Sequence, residues 1–260
     1  MHMATTLANR IELTFEGAVA RVALSHPPVN VIDFAMMDEL MSALSAIEQH
    51  NEVSTIVLSG TGRGLSAGVD VAIHTPDKIQ EMLTKFHGLV LALAKCRKVT
   101  IAEVRGVCLG GGAELVMVCD MVYTAKDAKW GFPEIALGCY PPVACAGLAA
   151  LVGQKRAADL IFTGRNFSGE QAAEWGLANG AFSEDELPEA VQITVDHLSR
   201  LSPAALGIAK KAFYAWDSFH LDKGVARAEK IYLEELMRTE DATEGIQSFI
   251  EKRKPVWKAR

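Results

Sequence analysis

Two acidic residues stand out because their neighbours are apolar. Glu114 follows the triplet Gly110-Gly111-Gly112 and sits in the run Ala113-Glu114-Leu115-Val116-Met117-Val118. Glu134 comes later, inside Trp130-Gly131-Phe132-Pro133-Glu134-Ile135-Ala136-Leu137-Gly138. An unpaired carboxylate is costly to bury, so acids in such surroundings need a partner or a task in proton transfer. Asp38, Glu39, Glu48, Glu234 and Glu235, by contrast, read as ordinary surface charges on patterned helices. The two acids are accompanied by two glycine-rich segments, Gly60 to Gly68 and the triplet itself. Glycines let a backbone approach a ligand closely, and successive amides at a loop or helix start form an anion-binding concavity. Two such loops, each following a strand, could each aim one N–H at an oxygen on which negative charge develops.

The first glycine segment admits two other chemistries. The strand-like Ser54-Thr55-Ile56-Val57-Leu58 runs into Gly60-Thr61-Gly62, as a dinucleotide-binding turn requires. The third fingerprint glycine would fall on Leu65, and no acidic residue follows at a second strand end, which argues against that reading. Gly64-Leu65-Ser66-Ala67-Gly68 matches the G-x-S-x-G pattern of serine hydrolases. A nucleophile elbow places its serine between a strand and a helix, whereas here the strand reads as ending at Leu58 and a polar loop containing Asp70 follows. The partner base would be His74, His87, His197 or His220. A Ser66-dependent acyl hydrolase therefore stands as an alternative.

The elements that must position these residues follow from periodicity. Alternation in Arg10-Ile11-Glu12-Leu13-Thr14-Phe15 and Val19-Ala20-Arg21-Val22-Ala23-Leu24, around Glu16-Gly17, predicts a β-hairpin. Phe34, Met37, Leu40, Met41, Leu44 and Ile47 share one face of a helix over 33–50. Ile79, Met82, Leu83, Phe86, Val90 and Leu93 do the same over 78–96. Strands are expected at 54–58, 99–104 and 121–125, with a helix at 113–118 between the last two. That alternation argues a layered α/β domain. From Gly153 onward the pattern reads as helix after helix, with a hydroxyl cap at Ser168-Gly169-Glu170-Gln171 and helices at 204–216, 222–237 and 242–252. A soft boundary near residue 200 divides a core of residues 1–200 from a helical region, 201–260, expected to close the site and join subunits.

Composition excludes several classes. Twenty-six Lys and Arg against 32 Asp and Glu give a net charge of −6, and the nearest basic run is Lys252-Arg253-Lys254, so nucleic acid is not an expected partner. Half of the 260 residues are apolar and 22% are charged, the balance of a folded globular chain. The five cysteines form no C-x-x-C pair and no zinc spacing with histidine, so no metal is expected and the thiols read as reduced in a cytoplasmic protein. Residues 135–153 carry no charge, but Pro141-Pro142 interrupts them and a membrane span is not expected. The start, Met1-His2-Met3, has no secretory pattern and resembles a cloning remnant.

Four segments together resemble the crotonase (enoyl-CoA hydratase/isomerase) superfamily. They are Ser66-Ala67-Gly68-Val69-Asp70, Arg105 to Leu115, Cys119-Asp120, and Phe132 to Gly138, in matching order and spacing along nearly the whole chain. The resemblance implies a ClpP/crotonase-like α/β fold of repeated ββα units with a C-terminal helical region. It implies an oxyanion hole from the amides of Val69 and Gly111, and a water held between Glu114 and Glu134. It also places Arg63 and the loop from Ala67 through Gly68 to Asp70 along the adenine end of coenzyme A, and Gly110, Tyr140 and Pro142 are read as further substrate-binding positions. Coenzyme A is then part of the substrate, no separate cofactor is implied, and relatives are trimers or dimers of trimers. Keeping both glutamates favours water addition, with Glu114 as base and Glu134 as proton donor. The chain departs from common hydratases in replacing a glycine-rich run ending in Thr-Gln-Arg-Leu by Tyr140-Pro141-Pro142-Val143-Ala144-Cys145-Ala146-Gly147-Leu148. His26-Pro27-Pro28-Val29-Asn30-Val31-Ile32-Asp33 also lacks the cations often found there. A narrower resemblance, to the cyclohexa-1,5-diene-1-carbonyl-CoA hydratases of anaerobic aromatic degradation, rests on Asn30-Val31-Ile32-Asp33, His74-Thr75-Pro76-Asp77, His87-Gly88-Leu89-Val90, Tyr232 to Met237 and Glu251 to Pro255. It implies 1,4-addition of water to a cyclic dienoyl thioester, in place of the linear enoyl-CoA of a generic hydratase.

Overall fold

The structure, a computed structural model, describes residues 10–215 and 221–258. His220, the end of the expected helix at Trp216 and the first three residues lie outside them.

The expected hairpin forms from β1 (Ile11–Glu16) and β2 (Val19–Leu24), with Ile11 opposite Leu24. Helix α1 (Phe34–Gln49) starts where Asp33 accepts the Met36 N–H at 2.8 Å. Its buried face is Met36, Met37, Leu40, Ala43, Leu44 and Ile47, while Phe34 and Met41 are only half-buried. The chain then repeats one unit: a strand, a short second strand and a helix. The units are β3 (Thr55–Gly60), β4 (Gly64–Ser66) and α2 (Ile79–Lys95), then β5 (Val99–Val104), β6 (Val107–Leu109) and α3 (Gly111–Met117). A third comprises β7 (Met121–Ala125), β8 (Lys129–Gly131), a 3₁₀ turn at Pro133–Leu137 and α4 (Pro142–Val152).

The two strands of each unit part company. First strands join a six-stranded sheet ordered β1-β2-β3-β5-β7, completed by β10 (Gly180–Phe182). Second strands join a four-stranded sheet ordered β4-β6-β8, completed by β9 (Phe167–Ser168). Each unit advances the chain by one strand in both sheets, and β3, β5 and β7 run parallel, as do β4, β6 and β8. Burial on both faces explains why β5, Val-Thr-Ile-Ala-Glu-Val, is buried at all six positions and shows no alternation.

The expectation of uninterrupted helix after Gly153 is corrected. Helices α5 (Gln154–Thr163), α6 (Gly169–Glu174) and α7 (Leu187–Leu198) are separated by β9 and β10. Strands of two and three residues are too short to carry a period of their own, and only the sheet edges they meet define them. The capping box at Ser168 is present, with Gln171 returning the bond. Helices α8 (Pro203–Ala215), α9 (Leu221–Glu234) and α10 (Glu240–Ile250) follow. Helix α9 lies on α4 and α2, and α10 on the 3₁₀ turn that carries Glu134.

Candidate active site

Three neighbouring strands of the small sheet deliver the candidate residues from their C-terminal ends. Beyond β4 come Ala67 to Asp70, beyond β6 the triplet and Glu114, and beyond β8 the turn with Glu134. Because β4, β6 and β8 are parallel and adjacent, segments far apart in sequence arrive side by side. The arrangement is stitched by Gly110 N–H donating to Gly131 O at 2.9 Å and by the bridge between Ile32 and Val69.

One cavity of about 80 Å³ is lined by Ala67, Gly68, Val69, Gly110, Gly111, Glu114, Glu134, Tyr140 and Pro142. All nine were sequence candidates. Arg63 and Asp70 lie outside its lining. Arg63 is exposed between β3 and β4, and Asp70 caps the turn Val71–Ile73 through its Oδ1 on Ala72 N–H at 3.0 Å.

The backbone between the two glycine segments is packed too tightly for side chains. Gly110 has φ +51°, and a Cβ there would fall 2.7 Å from Glu134 Oε1. A Cβ on Gly111 would fall 2.7 Å from Val69 Cγ2 and 2.9 Å from Phe86 Cζ. The amides flanking Val69 are engaged, Gly68 N–H by Ser66 Oγ and Asp70 N–H by Ile32 O. Val69 N–H has no hydrogen-bond partner among the described residues, and Gly111 N–H is the first amide of α3, which has none within its helix. Two free amides beside one cavity are the equipment for stabilising an oxyanion.

The two carboxylates differ in environment. Glu114 is 2% exposed, and its Oε1 accepts Val143 N–H at 2.8 Å and Ala144 N–H at 3.0 Å. These are amides of the first turn of α4, which begins at Pro142. A proline suits the first helical position, since no bond is lost there. The Pro141-Pro142 departure thus starts a helix whose free N–H groups hold the first glutamate. Burial pushes Glu114 up to about 7, against the pull of those two amides. Glu134 is also pushed well above the usual carboxylate range, by burial and then by the charge of Glu114. Its Oε2 is enclosed and makes no hydrogen bond within the described residues. Two buried, interacting carboxyls resist ionising together, so the pair is suited to act as one carboxylate and one carboxylic acid.

Ser66 does not carry a nucleophile's geometry. It is 0% exposed, its Oγ donates to Asn30 O at 2.6 Å and accepts Gly68 N–H, and no histidine touches it among the described residues. Its hydroxyl holds the backbone beside Val69 in place, so the match to G-x-S-x-G is a fold feature here.

Sequence reasoning missed part of the lining. His74, His87 and Tyr232 face the same cavity, with Met82, Leu83 and Phe86 of α2. His87 sits four residues after Leu83 and three before Val90, so the helical period alone could have placed it on the buried face. Tyr232 had no such signal, because only the packing of α9 on α4 and α2 brings it in. Four of the cysteines are buried, Cys145 is exposed and all are free, while no group of three metal-type side chains occurs among the described residues. No helix among those residues is long and apolar enough to cross a membrane.

Known proteins bear on this geometry. A Thauera aromatica protein named cyclohexa-1,5-dienecarbonyl-CoA hydratase is 34% identical over 251 residues, covering 96% of this chain and 97% of its own. A Bacillus subtilis (strain 168) protein named "Probable enoyl-CoA hydratase" is 34% identical over 256 residues, covering 96% and 99%. The crystal structure of an enoyl-CoA hydratase/isomerase from Xanthobacter autotrophicus Py2 superimposes with a TM-score of 0.86 at 27% identity, over 93% of each chain. A family model described as enoyl-CoA hydratase/isomerase matches residues 14–260, and with that span, these relatives and this fold the chain belongs to the enoyl-CoA hydratase/isomerase family.

Proposed function

We propose that the protein is a hydro-lyase that adds water to a conjugated acyl-CoA thioester. The observation that carries this reading is the carboxylate pair: Glu114 and Glu134 line one cavity with the free amides of Val69 and Gly111. The thioester carbonyl rests between those amides, which take up charge as the enolate forms. Glu114, steadied by Val143 and Ala144, removes a proton from water, and Glu134, whose carboxyl is pushed above the usual range, delivers its own proton to carbon. General acid–base help of this kind is worth roughly 10²–10⁴ per group. Arg63, Ala67, Gly68 and Asp70 follow the coenzyme A portion outward, with Arg63 as a solvent-side cation, so recognition of this polyanion by a chain of net charge −6 rests on backbone amides and few cations.

We further propose that the acyl group is cyclohexa-1,5-diene-1-carbonyl. Hydroxide adds at the ring carbon β to the carbonyl, the remaining double bond shifts, and the proton lands on the far diene carbon, giving 6-hydroxycyclohex-1-ene-1-carbonyl-CoA. Support comes from the Thauera aromatica relative and from the cavity wall at Tyr140 and Pro142, a helix start in place of a glycine-rich run. The same reading takes the protein as cytoplasmic and as a trimer or dimer of trimers, with residues 201–260 closing the site and joining subunits. Purified protein offered crotonyl-CoA and the cyclic dienoyl-CoA in parallel should turn over the cyclic substrate faster. Faster hydration of crotonyl-CoA leaves a generic short-chain hydratase, and hydration of neither removes the reading.

A further inference from the structure

The cavity holds a second polar arrangement that the glutamate chemistry does not use. His87, on α2, is 3% exposed, and its Nδ1 lies 2.6 Å from Oε2 of Glu229, on α9. An ionised carboxylate offers only lone pairs, so this contact puts the ring proton on Nδ1 and leaves Nε2 as a bare acceptor. Nε2 is enclosed and makes no hydrogen bond to any described residue, and His87 is one of the residues that line the acyl cavity. Burial also pushes the imidazole's pKa down against the pull of Glu229, which favours the neutral ring. The neighbouring residue of α9, Ala228, accepts the Tyr140 hydroxyl at 2.7 Å, so the helix is fastened to the cavity wall at two adjacent positions. One ring nitrogen is therefore held by Glu229, and the other is left without a partner in a residue that lines the cavity.

We infer that His87, oriented by Glu229, is a specificity-determining residue whose Nε2 accepts a hydrogen bond from a hydroxyl carried by the acyl group. The inference rests on the hydratase reading and deepens it: the water added to the substrate becomes such a hydroxyl, and its remaining hydrogen needs an acceptor in a buried site. A buried acceptor left unmatched is penalised, so a hydroxyacyl thioester is held more tightly than the same acyl group lacking the hydroxyl.

Benzoyl-CoA and its 2-hydroxy and 3-hydroxy derivatives test this, because an aromatic ring can neither gain nor lose water in the site. Calorimetric titration of the wild-type protein should show at least one hydroxybenzoyl-CoA bound roughly tenfold tighter than benzoyl-CoA. His87→Leu should bring the ratio close to one, and His87→Gln, which retains an acceptor, should restore part of it. Should His87→Leu fail to fold by circular dichroism, Glu229→Ala, at a side chain 27% exposed, should lower the ratio by releasing the ring. An unchanged ratio in a folded His87→Leu or Glu229→Ala protein overturns the inference. So does a wild-type protein that hydrates an enoyl-CoA yet prefers neither hydroxylated probe, a result that leaves the hydratase reading standing. A wild-type protein that neither hydrates an enoyl-CoA nor binds any of the three thioesters removes both.

Discussion

The cavity has two unlike sides. On the sheet side, the segments that leave β4, β6 and β8, strands bonded edge to edge, supply free amides and two carboxylates. On the helix side, α2 and α9 meet through side chains alone, with His87 and Glu229 separated by 142 positions in the chain. The difference teaches where each property is stored. Charge development at a thioester needs donors fixed before the reaction, which a strand end provides. Choice among acyl groups needs surfaces that can vary without disturbing those donors, which packed helices provide.

Changes on the sheet side should therefore strike kcat, and the largest effect belongs to the acids. Glu114→Gln and Glu134→Gln should each lower kcat by about 10²–10⁴ with acyl-CoA binding largely kept, as read by steady-state kinetics and calorimetry. Next is Gly111→Ala, whose methyl group would press on Val69 and Phe86 and push apart the two amides. Loss of one oxyanion donor costs about 2.7–4 kcal/mol of barrier, so kcat should fall about 10²–10³-fold in a protein that still folds.

A pH titration of stability probes the same side. Glu114 has an ordinary carboxyl in the unfolded chain and holds its proton up to about 7 when folded. Between those values the folded state binds the extra proton, so stability falls as pH rises from about 4.5 toward 7. Glu134, pushed up in the same way, adds to the decline, so Glu114→Gln should make it shallower in denaturant melts without abolishing it, and an equally steep decline in the variant would show that other groups cause it. The smallest expected effect on turnover comes from two hydroxyls. Ser66→Ala leaves Gly68 N–H without its acceptor and should cost about 1–3 kcal/mol of stability while catalysis survives. Tyr140→Phe, on the helix side, frees the Ala228 carbonyl and should cost about 1 kcal/mol, with KM moving more than kcat. A kcat collapse in Tyr140→Phe would erase the contrast between the two sides.

The same division explains what could be read from the sequence. Glu114 and Glu134 are visible because a charge in an apolar run is conspicuous, and the glycine triplet because close approach demands it. The hairpin and the two long amphipathic helices follow from local periods, and the buried strands from their short apolar runs. The strands at 167–168 and 180–182 do not, since sheet edges far away in sequence create them. The hold on Glu114 was hidden because it comes from backbone amides, Val143 and Ala144, which have no side-chain signature. His87 could be placed on a buried face but not paired with Glu229, because no period links residues on separate helices.

The central claim is that the site adds water across carbon–carbon unsaturation and leaves the thioester whole. Turnover of the cyclic dienoyl-CoA in ¹⁸O-labelled water, followed by mass spectrometry of the products, tests it directly. The predicted product is an intact hydroxyacyl-CoA with one labelled oxygen on the ring. Release of free coenzyme A with the label in a carboxylate would contradict the claim and return the chemistry to hydrolysis.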